Sequence, residues 1–259
     1  MLLEELELLN FKQYRGKHKI SFATTKEKNV TVILGDNASG KTTLIEAVYW
    51  ILYAKTDFKA SNLLNLEVAD KLDAGKYEII KGRLKLIHNG IEYEISRRQS
   101  YTLDEKDNLI VKEAEVKMDY KLANGVADTI KSEQEIKMKI NKILAEDEAD
   151  SILFDAKKIA GLLKRNKAGQ RDLSNVVDSI LDLDDKSKTI IMDDPFATID
   201  GYHAEKLSEI LVELKEKIII FLTDVGWEHV KHHLTDKVNC LYQLEKKSLN
   251  QTEIKTLGV

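Results

Sequence analysis

The chain has 259 residues, 43% apolar and 32% charged, with 40 basic against 44 acidic side chains and a net charge of -4. That length supports one large domain or two lobes around a real core. The near-balanced charge excludes a surface that is basic throughout but leaves room for a local basic patch. Cys240 is the only cysteine, which excludes a disulfide framework or a cysteine-based metal site and suits a reducing compartment.

The opening stretch MLLEELELLN carries three glutamates and no basic region, unlike a signal peptide. No apolar run approaches the ~20 residues that cross a bilayer, so a cytoplasmic protein without a membrane partner is expected. Residues 2–9 and 17–22 read as strands, the second because His18, Ile20 and Phe22 alternate with Lys19 and Ser21. NVTVILG is apolar at almost every position, as in a central strand buried on both faces. A core helix is expected from Lys41 to Ala54. Residues 77–97 read as a hairpin, because Asn89-Gly90 is a type I′ turn pair beside alternating Ile91, Tyr93 and Ile95. A second strand pair covers 109–123, and SEQEIKMKINKIL is an amphipathic helix with Ser132 and Glu135 at capping-box spacing.

The second half alternates. Helices are expected over 172–182, 202–215 and 226–234, with strands over 188–193, 217–223 and 238–244, as in a mainly parallel sheet. The lysine-rich run over 157–167 reads as a solvated helix face or as a phosphate grip.

Two stretches carry chemistry. VILGDNASGKTTLIEA fits G-x-x-x-x-G-K-[ST] directly after an apolar strand and directly before a helix. Its glycines let backbone N–H groups converge on phosphate oxygens, and the helix N-terminus adds partial positive charge. Asn37, Ala38, Ser39, Gly40, Lys41, Thr42 and Thr43 are therefore the candidate nucleotide-binding residues. Lys41 is expected on the β- and γ-phosphates and Thr42 on Mg²⁺. In KTIIMDDPFATID a short buried strand ends in Asp193-Asp194-Pro195. Asp193 suits a Mg²⁺ carboxylate, and Asp194 suits the group that orients or deprotonates an attacking water. Asp200 reads equally as the N-cap of the following helix.

With these residues in view, LELLNFKQYRGKHKISF, GDNASGKTTLIEAVYWILY and MDDPFATID resemble the two ends of an SMC-type head ATPase, the group that includes RecF, SbcC and RecN. ILFDAKKIAGLL, the Thr223-Asp224 pair in FLTDVGWEHV and the tail YQLEKKSLNQTEI resemble the DNA sulfur modification family DndD within that group. The resemblance implies an α/β fold: a P-loop, ABC-ATPase head with a mixed central sheet, flanking helices and an antiparallel hairpin lobe. Residues 1–154 would form the N-terminal lobe and 172–259 the C-terminal lobe of one head, with 155–171 as a junction replacing the family's long coiled coil.

The resemblance also implies ATP and Mg²⁺ as ligands, and an ATP-dependent homodimer in which each phosphate loop faces the partner's signature motif. By the same resemblance the cycle would be coupled to DNA and to other proteins of a DNA modification or repair system. By position, Lys12 would lie near the base or ribose, Asp155 near the γ-phosphate, and Asp200 would reach across the dimer interface.

Two features depart from that pattern. In RNKAGQR the signature-like residues Ala168, Gly169 and Gln170 survive, but Asn166 and Lys167 replace Leu and Ser. A lysine could meet a γ-phosphate only as a point charge. The stretch reads as a weakened signature or as an ordinary loop before a helix. Asp194 stands where glutamate is usual, one methylene shorter, and a displacement of about 1 Å can cost ~100-fold in rate. The expected activity is ATP binding and hydrolysis. The alternative is a nucleotide-binding scaffold with little hydrolysis. A small-molecule kinase is disfavoured because no arginine-rich lid is apparent.

Overall fold

The computed structural model describes residues 1–23, 25–149, 152–162, 164–165, 171–172 and 189–258. The elements in chain order are β1 (Leu2–Phe11), β2 (Tyr14–Ser21), β3 (Val30–Leu34), α1 (Lys41–Tyr53), α2 (Leu66–Ala69), β4 (Tyr77–His88), β5 (Ile91–Leu103), β6 (Leu109–Val111), β7 (Glu115–Lys121) and β8 (Ala127–Ile130). They continue with α3 (Glu133–Ile143), α4 (Glu146–Ala149), β9 (Leu153–Asp155), α5 (Ala156–Leu162), β10 (Lys164–Arg165), β11 (Arg171–Asp172), β12 (Thr189–Asp193), α6 (Gly201–Glu213), β13 (Lys217–Leu222), α7 (Asp224–Leu234), β14 (Val238–Ser248) and β15 (Gln251–Leu257).

One sheet has the order β2-β1-β4-β5-β7-β8, with β6 also on β5, and every pairing in it is antiparallel. The other has the order β15-β14-β3-β13-β12-β9. It is parallel from β14 to β9 and closes with the antiparallel strand β15.

The period of two along the second sheet explains its apolar runs. Val30, Val32, Leu34, Ile190, Met192, Ile218, Ile220 and Leu222 join one core with Leu207 and Leu211 of α6 and Val230 and Leu234 of α7. Their neighbours Ile33, Ile191, Ile219 and Phe221 point the other way, into a core shared with α1 and the antiparallel sheet. β3 lies between β14 and β13, so the strand feeding the phosphate loop is fixed on both edges. α1 packs on the antiparallel sheet where Gly82 leaves space. A Cβ there would lie 2.5 Å from Ile51 Cγ1.

The hairpin of 77–97 is longer than its alternation indicates, running to Leu103. The second strand pair is split, with a gap between β6 and β7. The amphipathic helix is α3, and its Ser132 side chain accepts a hydrogen bond from the Glu135 N–H. Lys164 and Arg165 pair antiparallel with Asp172 and Arg171 rather than extending the helix before them. The helix expected over 172–182 otherwise lies outside the described residues, as do Ala168, Gly169 and Gln170. Among the described residues no helix is long and apolar enough to cross a membrane.

Candidate functional site

The site forms at the carboxyl ends of β3, β12 and β9, where open α/β sheets take ligands. β3 ends at Leu34 and the chain turns through Gly35–Gly40 into α1. Two residues of the turn are left-handed, Ala38 (φ 62°) and Gly40 (φ 117°). Gly40 has no alternative, because a Cβ there would sit 2.6 Å from both Gln13 Nε2 and Tyr14 Oη.

Two strands and the turn between β1 and β2 brace this loop. From β2, the Tyr14 hydroxyl donates to the Gly40 carbonyl at 3.1 Å. Just before it, Gln13 Oε1 accepts from Thr43 Oγ1 at 3.3 Å. From β15, Thr252 Oγ1 donates to the Ser39 carbonyl at 2.8 Å, and the Thr252 N–H donates to the Gln13 carbonyl at 2.8 Å. Ser39 is turned inward and buried, with its N–H on the Asp36 carbonyl at 3.1 Å.

An open cleft of ≈ 470 Å³ lies over the loop. Its lining brings together Lys12, Asn37, Ala38, Gly40, Lys41, Thr42, Thr43, Asp193 and Asp194 from the sequence-based set. Lys41 is 6% exposed. Its ammonium donates to the Gly35 carbonyl at 2.6 Å and the Asp36 carbonyl at 3.3 Å, and lies 3.4 Å from Asp194 Oδ2. Thr42 Oγ1 donates to Asp193 Oδ2 at 3.2 Å.

Asp193 is paired in register with Asp155 on the neighbouring strand. Burial raises the Asp193 carboxyl above its ordinary value, and the charges of Asp194 and Asp155 push the same way against the Thr42 hydrogen bond and Lys41. Asp194 adopts a left-handed backbone (φ 47°), which aspartate tolerates better than most residues. Its N–H donates to the Phe221 carbonyl at 2.9 Å, and its Oδ1 accepts from the Thr223 N–H at 3.2 Å.

Lys12, also left-handed (φ 53°), lays its ammonium over the Phe58 ring at 4.1 Å from the centroid. Burial lowers its pKa. Asp200 is not part of this cleft. It caps α6, accepting from the His203 N–H at 3.1 Å. Tyr14 and Gln13 lie within the LELLNFKQYRGKHKISF stretch, which marks them by resemblance without giving their contacts, whereas Phe58 and Thr252 have no motif to mark them and reach the site through long-range packing.

The donor set at the acidic strand ends is all oxygen: the Thr42 hydroxyl and the carboxylates of Asp193 and Asp155. That suits a hard dication such as Mg²⁺. Asp36, Asp155, Asp193 and Asp194 share the lining with Lys12, Lys41 and Lys157. A bare polyphosphate would meet those carboxylates unscreened, so the cleft favours a phosphate ligand that arrives with a cation.

The AAA_23 family model, an AAA domain, matches residues 5–255. Over 59 residues the chain is 42% identical to structural maintenance of chromosomes protein 1 of Saccharomyces cerevisiae, covering 23% of this chain and 5% of that protein. Over 96 residues it is 38% identical to the DNA replication and repair protein RecF of Bacillus cytotoxicus, covering 37% of this chain and 23% of that protein. The chain therefore matches only a small part of either relative's length. Among solved structures, the SMC head domain from Thermotoga maritima superposes with a TM-score of 0.54 at 14% identity, over 100% of both chains. The Smc head domain with an extended coiled coil bound to the C-terminal domain of ScpA, derived from Pyrococcus furiosus, gives a TM-score of 0.61 at 12% identity, over 99% of this chain and 96% of that one. The fold is that of an SMC-type head.

Proposed function

Because the chain belongs to the AAA_23 family of AAA domains, we propose that it binds ATP with Mg²⁺ in the cleft above the phosphate loop and hydrolyses it. The observation carrying this reading is the convergence of Lys41, Thr42, Asp193 and Asp194, with Thr42 against Asp193 and Lys41 against Asp194. The backbone N–H groups of Asn37 to Thr43 face the phosphates, except that of Ser39, which is already used inside the loop. Thr42 and Asp193 would hold Mg²⁺, which would screen the phosphate charge and offset the raised carboxyl of Asp193.

Lys41 starts on carbonyls and on Asp194. A triphosphate competes for its ammonium, and each step Lys41 takes toward phosphate frees Asp194 Oδ2 to accept a proton from water. Oδ1 stays on the Thr223 N–H, which aims the free oxygen. Lys12 and Phe58 form the wall for the base or ribose.

Residues 1–154 and 172–259 act as two lobes of one head, joined by 155–171, which stands where relatives' coiled coil is expected. The head pairs with a second copy on ATP, with Asp200 and Ala168, Gly169 and Gln170 facing the partner's nucleotide. Its cytoplasmic task is coupled to DNA repair or modification. The DndD-like details of ILFDAKKIAGLL and Thr223-Asp224 support the modification branch. A second reading, a nucleotide-binding scaffold with little turnover, is favoured by the short Asp194 side chain, whose two oxygens are both engaged.

The test is Mg²⁺-ATP turnover and oligomeric state for the native chain and Asp194→Asn. Loss of turnover with a persistent ATP-bound dimer in the variant supports the enzyme. Equal, near-zero turnover in both, with ATP still bound, favours the scaffold.

A further inference from the structure

α6 and α7 pack against each other on the side of the parallel sheet away from α1. Near their contact a second group of side chains gathers, outside the nucleotide cleft. Glu205 comes from the second turn of α6, and His232 and His233 from the last turn of α7. One ligand atom from each lies within 4.8 Å of the other two.

Successive helix residues normally point about 100° apart. Here the imidazoles of His232 and His233 instead lie against each other, with centroids 4.0 Å apart and planes tilted by 42°. Both rings thus turn to the same side, toward Glu205. His233 Nε2 is sealed from solvent and has no hydrogen-bond partner. The nearest carboxylate oxygen, Glu205 Oε1, is 3.6 Å away. That is too long for a hydrogen bond but close to the spacing of two ligands on one metal ion. A buried nitrogen with no hydrogen bond, facing a carboxylate that pairs with it only when the ring is protonated, needs an explanation, and a lone pair shared with that carboxylate on a cation supplies one.

We infer that Glu205, His232 and His233 form a three-ligand site for a transition-metal dication, Zn²⁺ foremost, which staples α6 to α7. Two imidazoles and one carboxylate are the donors Zn²⁺ takes, whereas Mg²⁺ and Ca²⁺ prefer oxygen throughout. Three protein ligands leave a fourth position to water, so the ion exchanges with solvent. The C-terminus of α7 carries partial negative charge, which favours a cation there. The site borders a groove that Glu205 and His232 share with Asp194 and Thr223. The staple would therefore fix the helices whose first residues follow Asp200 and Thr223.

The experiment is a Zn²⁺ titration of the nucleotide-free full chain by calorimetry. Excess Mg²⁺ occupies the oxygen donors of the nucleotide cleft, and Co²⁺ absorption reports histidine ligation. One saturable equivalent is expected. Glu205→Gln, His232→Ala and His233→Gln should each weaken it at least about tenfold, with native circular dichroism. His229→Ala, on the same helix but outside the cluster, should leave it unchanged. No saturable uptake, or native-like uptake in all three ligand variants, overturns the site. Neither result depends on whether ATP is hydrolysed.

Discussion

Replacing Thr252 with valine isolates the brace that the last strand places on the phosphate loop. Thr252 is 1% exposed and its hydroxyl donates to the Ser39 carbonyl at 2.8 Å. Valine keeps the branched shape but leaves that buried carbonyl without its partner, a cost of about 1–3 kcal/mol. Burying a methyl in place of the hydroxyl offsets up to ~0.8 kcal/mol. A net loss of about 1–2 kcal/mol is expected, which in a chain of this size lowers Tm by about 2–8 °C. If the whole loss falls on the loop, Mg²⁺-ATP binding weakens about 5- to 30-fold. Thermal unfolding and nucleotide titration should be run on the native chain, Thr252→Val and Thr252→Ser. Serine keeps the donor and should retain most of the affinity. If valine lowers Tm but leaves ATP affinity native, the strand supports the fold alone, and the reasoning that links it to the site is refuted.

Gly40→Ala sets a Cβ 2.6 Å from Gln13 Nε2 and Tyr14 Oη at φ 117°. It should cost about 1–3 kcal/mol in urea unfolding and abolish ATP binding, whereas native-like binding would mean the loop opens more easily than its braces allow. Asp193→Asn tests the buried carboxylate. With its folded pKa raised above the ordinary 3.8, the native state holds its proton more tightly than the unfolded chain. Stability without Mg²⁺ therefore falls as pH rises from the ordinary value through the folded one, and the penalty remains at neutral pH. The variant should be more stable than the native chain at neutral pH without Mg²⁺, with a flatter profile in acid, and should lose the stabilisation by Mg²⁺-ATP. A less stable variant under those conditions would contradict burial as the leading cause.

What the sequence makes legible here is local. The phosphate loop, the acidic strand end and the Ser132 cap are each written within a few consecutive residues, because turn geometry and capping depend on near neighbours. The uniformly apolar runs of β3 and β13 announce burial on both faces. They do not say which residues face α1 and which face α6 and α7. That division follows from the strand order, set by contacts between residues far apart in the chain. The same limit hides the braces. Thr252 reaches Ser39 only because β14 and β15 fold back as a hairpin beside β3, and nothing around Thr252 marks it. Asp194 is a mixed case. Its acidity and position are plain in MDDPF, but its left-handed backbone and its contact with the Thr223 N–H come from the pairing of β12 with β13. Lys164 and Arg165 read as helical from charge and spacing, yet they pair with Asp172 and Arg171.

The most direct measurement is equilibrium binding of Mg²⁺-ATP to the native chain and to Lys41→Ala. Saturable binding of one nucleotide per chain to the native protein, lost or weakened by orders of magnitude in a folded Lys41→Ala variant, is the expected result. No binding to the native chain, or equal binding to both, would contradict the assignment of the cleft as a nucleotide site.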